Sequence, residues 1–377
     1  MRALLASLMV AGTTATPAAD WPRSTPDAQG MDAAALAALD GAFRRGDHGY
    51  VDGMLVIRHG HVVWDATYRH DYASLFKAEH GPRGIYNYYD PEWHPYHRGS
   101  DLHTMQSVSK SVTSALVGLA LHRGELRGLD EAVLSFFPGY PAADDPRWRR
   151  MTVRHLLTMT TGIRWDESTV AYTDPANSCA RMEASQDWLR FVLAQPMAEE
   201  PGRTFVYNSG ATQLLSQVLK QATGVHADEY AARHLFAPLG IGAFQWKKTP
   251  TGHPDTEGGL YLRPHDLARL GMLYLKGGTW SGTRLLPERW VAESTAPAVD
   301  VARAGGPPWK YGYQWWLVPA AGAPGGYVPM ALGYGGQRLM VVPQHDLVAV
   351  FTGWNIYDKP ALDPSLALEK LTAAVRR

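Results

Sequence analysis

The 377-residue sequence has a single cysteine and no excess of either charge. One cysteine, Cys179, excludes an internal disulfide, and no neighbouring motif marks its thiol as a nucleophile. Lys plus Arg and Asp plus Glu both number 36, so the formal net charge is zero. Without a basic field, neither nucleic acid nor anionic lipid is expected as a partner.

Long hydrophobic runs are also missing. Beyond the N-terminal segment, no stretch reaches the roughly 18 uninterrupted apolar residues of a spanning helix, so no stable membrane insertion is expected. The segment MRALLASLMVAGTTATPAAD has one arginine, a short apolar core and small residues at Ala18 and Ala19. It predicts a signal peptide over residues 1–19 and a periplasmic or secreted protein. A disordered cytosolic N-terminus is the alternative.

Signatures of several other enzyme classes are absent from the sequence. It contains no G-x-S-x-G nucleophile elbow, no H-E-x-x-H zinc motif, and no P-loop or dinucleotide-binding glycine spacing. The pair His59 and His61 lies in a predicted hairpin and is not followed by an Asp-His pair. We therefore assign no metal and no cofactor.

The sequence does contain a block of helical patterns between two strand-rich ends. DAAALAALDGAFRRG predicts a helix ending at Gly46, and GMLVIRHGHVVWDATY predicts a hairpin near Gly60. Helical spacing prevails from Met105 to about Lys220, and YGYQWWLVP, QRLMVVP and DLVAVFTG predict strands near the C-terminus. We expect an α+β fold in which strands from both chain ends form one antiparallel sheet flanked by helices.

The same pattern predicts how the chain is divided. We expect an α/β domain over residues 20–104 and 245–377, and an inserted, mostly helical domain over 105–244. A cleft between two such lobes is a common place for a ligand site. The polar and aromatic loop over 71–100 has no periodicity, as is typical of loops that carry function or cover a site.

Two copies of the pattern Ser-x-x-Lys occur. Ser74 and Lys77 lie in the long loop with no helical pattern behind them, and a solvated loop is expected there. Ser107 and Lys110 begin a helical pattern, where residues i and i+3 are neighbours, so the lysine can reach the serine hydroxyl. A helix N-terminus also favours an oxyanion. The competing interpretation makes Ser107 only an N-cap, and the motif alone does not decide.

Two further stretches supply context. In PGRTFVYNSGATQLL, Tyr207 and Ser209 precede a predicted helix. A lysine ammonium nearby can lower a tyrosine pKa from about 10 and make the phenol a usable base. In GYVPMALGYGGQRLMVVP, glycines before a strand let a backbone N–H approach a bound carbonyl closely. The alternatives are a core tyrosine and a hairpin turn.

Taken in order, these three segments resemble the serine β-lactamase and penicillin-binding-protein superfamily, especially class C β-lactamase-like esterases and 6-aminohexanoate-dimer hydrolases. The resemblance runs from about Trp21 to the end and includes HLLTMTTG, GGLYLRPHDLARLG, YGYQWW and GYGGQ. It implies that Ser107 is the acylated nucleophile, with Lys110 beside it. It also implies that Tyr207 is the tyrosine of the second motif, which reads Tyr-Asn-Ser rather than Tyr-x-Asn.

The resemblance also implies an oxyanion hole and substrate contacts. The backbone N–H groups of Ser107 and Tyr334 would stabilise the oxyanion, with Gly333 as the alternative to Tyr334. In AYTDP, Tyr172 resembles the tyrosine that assists the leaving amine in the dimer hydrolases; a packed loop aromatic is the alternative. The other candidate substrate-binding residues are Ser209, Gly333, Gly335 and Gln337.

One departure from the family pattern bears on the substrate. Where β-lactamases and transpeptidases usually carry Lys-Thr-Gly or His-Thr-Gly, this chain has MALGY, with no cation for a substrate carboxylate. We therefore expect a serine hydrolase that cleaves an ester or small amide through an acyl-enzyme. One alternative is a true class C type β-lactamase or D-alanyl-D-alanine carboxypeptidase that takes its cation from Arg338 or the long loop. Another is a β-lactam- or peptide-binding module without turnover.

Overall fold

The computed structural model describes residues 21–72, 74–75, 95–302, 308–356 and 361–376. The predicted signal peptide and most of the loop over 71–100, including Lys77, lie outside these residues. Within them, no helix combines the length and apolar character needed to cross a membrane.

The main sheet joins strands from both ends of the chain. The described residues contain the following strands, eight of which form this sheet: β1 (Val51–Arg58), β2 (His61–Thr67), β3 (His103–Thr104), β4 (Gln245–Trp246), β5 (Leu260–Leu262), β6 (Thr279–Trp280), β7 (Thr283–Arg284), β8 (Val299–Val301), β9 (Trp309–Tyr311), β10 (Trp316–Pro319), β11 (Tyr327–Gly333), β12 (Gln337–Val342) and β13 (Leu347–Gly353). An eight-stranded antiparallel sheet has the order β2-β1-β13-β12-β11-β10-β9-β8. Because β1 pairs with β13, the predicted sheet built from the two ends is confirmed.

Helices cover both faces of this sheet. The helices are α1 (Ala33–Arg45), α2 (Val108–His122), α3 (Val153–Leu157), α4 (Ser178–Glu183), α5 (Trp188–Leu193), α6 (Ser209–Thr223), α7 (Ala227–Ala231), α8 (Ala237–Leu239), α9 (Pro264–Leu275), α10 (Glu288–Ser294) and α11 (Pro364–Ala373). Phe43 of α1 contacts Phe351 on one face of β13, with ring centroids 5.9 Å apart. On the other face, α9 comes so close at Gly271 that a Cβ there would lie 2.7 Å from Val348.

The local predictions near the N-terminus are confirmed. Helix α1 is capped by the Asp32 side chain, which accepts from two backbone N–H groups, and it ends at Gly46 with φ 77°. Gly60, with φ 75°, makes the turn between β1 and β2. Left-handed φ values of this kind cost glycine little, which explains why the helix ends at Gly46 and why the hairpin turns at Gly60.

Helix α2 is the centre of the helical region. Each of its residues from Val108 to Ala120 is buried, whereas a surface helix would expose one face. It packs against α6 and against β11 and β12 of the sheet. Its first turn therefore lies where sheet and helices meet. The domain boundaries predicted at residues 105 and 244 stay a prediction.

Candidate active site

Ser107 stands at the N-terminus of α2, and its hydroxyl makes no capping hydrogen bond to the helix. The interpretation of Ser107 as a simple N-cap is therefore not supported. The preceding residue, Gln106, has φ 46°, a left-handed value that non-glycine residues rarely adopt. The strand before this turn is fixed to β5, where the Met105 N–H donates to the Leu260 carbonyl oxygen at 2.8 Å. Strained backbone of this kind occurs at functional sites.

Lys110 lies behind Ser107 and is 1% exposed. Its Nζ is 3.0 Å from Ser107 Oγ, 2.8 Å from the carbonyl oxygen of Glu257 and 3.0 Å from Glu257 Oε2. Burial disfavours the charged amine, but the neighbouring Glu257 carboxylate favours it, and the pKa of Lys110 is raised overall. The 3.0 Å contact with the Glu257 carboxylate and the raised pKa both favour the ammonium form of the lysine.

Tyr207 completes the group that surrounds the serine hydroxyl. Its ring centroid is 5.2 Å from Lys110 Nζ, and its ring stacks on Trp316 with centroids 5.3 Å apart. Burial raises the pKa of Tyr207, and the opposing effects of the Lys110 ammonium and a hydrogen bond from Ser107 are smaller. The sequence-based expectation of a lowered pKa is wrong, because it took the lysine into account and not the burial. Tyr207 rests as a neutral phenol.

The glycine-rich segment after β11 approaches the nucleophile closely. A Cβ on Gly333 would lie 2.4 Å from the Met105 carbonyl oxygen, so only glycine fits there. The next residue, Tyr334, lines the same cavity as Ser107. The predicted pair of oxyanion donors, the backbone N–H groups of Ser107 and Tyr334, stays a prediction.

Gln337 supports this segment from inside the protein. It is 1% exposed, and its Nε2 donates to the carbonyl oxygens of Tyr334 at 3.0 Å and Gly353 at 2.5 Å. Gly335 has φ 84°, and its carbonyl oxygen accepts from the Asn355 N–H at 2.8 Å. The structure thus places Gln337 behind the turn, where it holds Tyr334 in position.

A cavity of about 820 Å³ opens in front of Ser107. Aromatic side chains make up much of its wall: Trp165, Tyr172, Phe205, Tyr207, Trp309, Trp316 and Tyr334. None of the described residues that line it is a lysine or an arginine. Arg338 is buried elsewhere and donates to the Leu362 carbonyl oxygen, so it does not supply the cation that a β-lactamase would need.

Glu167, which sequence reasoning missed, organises one wall of the cavity. Its carboxylate accepts from the Ser209 N–H at 2.9 Å, the Ser209 hydroxyl at 2.8 Å, the Trp165 indole at 2.6 Å and the Tyr172 hydroxyl at 3.2 Å. Burial raises the pKa of Glu167, and the charge of Lys110 opposes that rise. Ser209 is 1% exposed and faces Glu167, whereas the Tyr172 ring lines the cavity and contacts Tyr334.

More buried acids lie on the far side of Lys110. Cys179 Sγ is 3.7 Å from Glu257 Oε1, and Glu183 and Asp255 are also buried nearby. Potential ligand atoms of Cys179, Glu183 and Glu257 lie within 4.8 Å of one another, but Lys110 already provides a cation at the Glu257 carboxylate. No short motif in the sequence joins these residues, so only the fold reveals them.

Comparison with known proteins identifies the family of the chain. The sequence profile of the family described as Beta-lactamase matches residues 34–355. A 6-aminohexanoate-dimer hydrolase from Paenarthrobacter ureafaciens is 26% identical over 296 residues, which cover 74% of this chain and 71% of that protein. The chain therefore belongs to the beta-lactamase family, whose members include amide and ester hydrolases.

Solved structures show the same fold. A putative 6-aminohexanoate-dimer hydrolase from Bacillus anthracis superposes with a TM-score of 0.70 at 18% identity, over 94% of this chain and 87% of that chain. A family VIII carboxylesterase superposes with a TM-score of 0.66 at 16% identity, over 94% of this chain and 98% of that chain. At such low identity these structures establish the β-lactamase and transpeptidase-like fold alone.

Proposed function

We propose that the protein is a serine hydrolase that cleaves an uncharged ester or small amide through an acyl-enzyme on Ser107. The observation that carries the proposal is the 3.0 Å contact between Ser107 Oγ and Lys110 Nζ in front of a wide aromatic cavity. Such a contact fits a nucleophile held and polarised by a neighbouring side chain.

Acylation follows from the protonation states of the site. Ser107 Oγ attacks the substrate carbonyl carbon, and its proton passes to the Tyr207 oxygen while Tyr207 gives its own phenol proton to the leaving oxygen or nitrogen. The bond from the carbonyl carbon to the leaving group breaks, and an alcohol or amine departs. The backbone N–H groups of Ser107 and Tyr334 stabilise the oxyanion in between.

Deacylation reverses this path. A water molecule attacks the acyl carbon, and its proton travels through Tyr207 to Ser107 Oγ, which leaves as the new acid is released. Tyr207 relays one proton in each half of the cycle and remains a neutral phenol at its end. Neither half requires a metal or a cofactor in this scheme.

The lining of the cavity supports an uncharged substrate. Penicillins and D-Ala-D-Ala peptides carry a carboxylate, and no lysine or arginine occurs among the described lining residues. Asp166 and Glu167 also line the cavity, and these groups further disfavour an anion. The relationship to a 6-aminohexanoate-dimer hydrolase supports amide hydrolysis as well as ester hydrolysis.

Labelling with a fluorophosphonate probe tests the nucleophile. We expect the labelled peptide to contain Ser107, and we expect Ser107→Ala to remove both the label and the hydrolysis of p-nitrophenyl butyrate. Ser74→Ala is the matched control, since Ser74 begins the other Ser-x-x-Lys pattern and its hydroxyl donates to Asp71 at 2.6 Å. A label on Ser74, or no label on the folded protein, would contradict the proposal. Nitrocefin turnover equal to that of the ester would favour a β-lactamase.

We also infer export, on the basis of the signal-like segment over residues 1–19. N-terminal sequencing of the protein recovered from the periplasm or medium of a bacterial host checks this inference. A mature chain that begins after Ala19 is the expected result, and an intact Met1 in the cytoplasm would contradict it.

A further inference from the structure

We propose that Glu257 is a positioning residue that keeps Lys110 an ammonium ion during the reaction. In this arrangement Lys110 is a hydrogen-bond donor to Ser107, and the proton of the serine goes to Tyr207 and never to Lys110. The inference rests on the proposed function and assigns which side chain of that same site accepts the serine proton and which only donates a hydrogen bond.

The contacts of Lys110 Nζ carry the argument. Glu257 alone provides two acceptors, its carbonyl oxygen at 2.8 Å and its Oε2 at 3.0 Å, and Ser107 Oγ lies at 3.0 Å as the third partner. An ammonium group has three N–H bonds, so these three positions match it fully. The Ser107 hydroxyl hydrogen is then available for Tyr207, which lines the same cavity and whose pKa the Ser107 hydroxyl lowers.

The competing arrangement is a neutral lysine that accepts the serine proton. A neutral amine could bond both Glu257 atoms and point its lone pair at Ser107. That form would leave the carboxylate of Glu257, which is 4% exposed, without a compensating charge. Neutralising one partner of a buried ion pair is costly because the remaining charge is neither solvated nor paired.

The turn that carries Glu257 explains how one residue presents two acceptors. Asp255 Oδ1 accepts from the Glu257 N–H at 3.2 Å and from the Gly258 N–H at 2.9 Å. A Cβ on Gly259 would lie 2.6 Å from the Asp255 Cβ, so glycine is required for this tight turn. The turn therefore directs both the carbonyl and the carboxylate of Glu257 to the same lysine.

The groups around Glu257 divide into one ion pair and one neutral acid. Burial raises the pKa of Glu257, but the charge and hydrogen bond of Lys110 outweigh burial and lower it overall. Burial and the charges of Glu257 and Asp255 raise the pKa of Glu183, which favours its neutral, protonated form. The other titratable groups that act on this cluster are Glu167, Cys179, Tyr207 and Lys247.

This difference between two neighbouring glutamates gives a matched pair of variants. Glu257→Gln removes the charge that faces Lys110 and keeps the side-chain shape, whereas Glu183→Gln replaces one neutral group with another. We measure the rate of fluorophosphonate labelling of Ser107 against pH for both. As the pH rises, the labelling rate of Glu257→Gln should fall at a pH about 1–3 units below the pH at which the wild-type rate falls. The reason is that loss of an opposite charge this close to Lys110 lowers the lysine pKa by that amount. Glu183→Gln should keep the alkaline limb of the wild type, that is, its labelling rate should fall at the same high pH.

Two outcomes of the labelling experiment would overturn the inference. One is faster labelling of Glu257→Gln at neutral pH, which is the behaviour of a lysine base set free. The other is an equal shift in both glutamine variants. If Glu257→Gln does not fold, as judged by circular dichroism, Glu257→Asp provides the test, because it keeps the carboxylate and should keep the alkaline limb. A limb that moves in the aspartate variant would count against the inference.

A direct titration separates this inference from the proposed function. In protein labelled with ¹³C at the lysine ε-carbons, the Lys110 signal is assigned by its loss in Lys110→Met, and its shift reports the charge. We expect a charged Lys110 up to at least pH 9 in the wild type and a lower transition in Glu257→Gln. A wild-type Lys110 that is neutral at pH 8 overturns the inference. Absence of any Ser107 label overturns the proposed function and leaves this titration readable.

Discussion

The two sides of Ser107 differ in chemical character. In front of it lies the wide cavity, with a largely aromatic wall and, among its described lining residues, no lysine or arginine. Behind it lies a narrow region in which Lys110 meets the buried carboxyl groups of Glu257, Glu183 and Asp255. In the proposed mechanism, substrate recognition and proton handling are therefore separated in space.

The separation has a physical reason. Charges interact more strongly where water is excluded, so a lysine held by buried acids can orient a serine hydroxyl more firmly than an exposed lysine could. Burying those acids is expensive, and it is tolerated here because one is paired with Lys110 and another is neutral. A front with no lysine or arginine among its described lining residues leaves room for an uncharged acyl or leaving group.

The largest predicted effect comes from Tyr207→Phe, which breaks the link between the two sides. The phenyl ring keeps the stack on Trp316 but has no oxygen to relay the proton. We expect kcat to fall about 100-fold or more, with little change in KM, as for loss of a general acid–base group. Steady-state hydrolysis of p-nitrophenyl butyrate measures both constants. Tyr140→Phe, outside the cavity, is the control, and a Tyr207→Phe enzyme with the kcat of that control would rule out the relay.

The front of the site could largely be predicted from the sequence, because its signals are local. Ser107 and Lys110 are one helical turn apart, and the glycines at 333 and 335 mark a close backbone approach. The sheet built from both chain ends was predicted for the same reason, since each strand shows its own apolar pattern. Such signals lie within a few residues of one another.

The back of the site could not be predicted. Cys179 and Glu257 are 78 residues apart in the chain and meet only because α4 packs beside the turn before β5. A glutamate in a sequence is most often solvated, and nothing near Glu167 or Glu257 indicates burial. Because the sequence does not reveal burial, the expected direction of the Tyr207 pKa shift was wrong as well.

A smaller effect is expected when a cation is added to the front. Leu332 lines the cavity one residue before Gly333, in the stretch where related enzymes usually carry Lys-Thr-Gly or His-Thr-Gly. Leu332→Lys should raise kcat/KM for nitrocefin relative to p-nitrophenyl butyrate by about 10-fold, the equivalent of one charge-assisted hydrogen bond of about 1.4 kcal/mol. Leu332→Met, similar in volume and neutral, should leave the ratio unchanged. An unaltered ratio in the lysine variant would mean that charge in the front does not limit β-lactam binding.

The last effect concerns the pH dependence of stability, which the back of the site should control. Burial, and then the charge of Glu257, raises the pKa of Asp255 from 3.8 to about 7. Because the folded state binds this proton more tightly than the unfolded chain, the stabilisation is complete below pH 3.8 and is lost as the pH rises through 7. The loss amounts to at most about 1.4 kcal/mol for each pH unit.

Asp255→Asn removes this proton while keeping an oxygen that can accept from the Glu257 and Gly258 N–H groups. The free energy of urea unfolding, measured at pH 5 and pH 7, should therefore fall less with pH in the variant than in the wild type. Asp130→Asn is the control, because the carboxylate of Asp130 is exposed and pairs with Arg154 at the surface, where no buried proton is at stake. If wild type and Asp255→Asn lose the same stability between the two pH values, Asp255 is ionised throughout, and the back of the site carries one more negative charge than the arrangement around Lys110 requires.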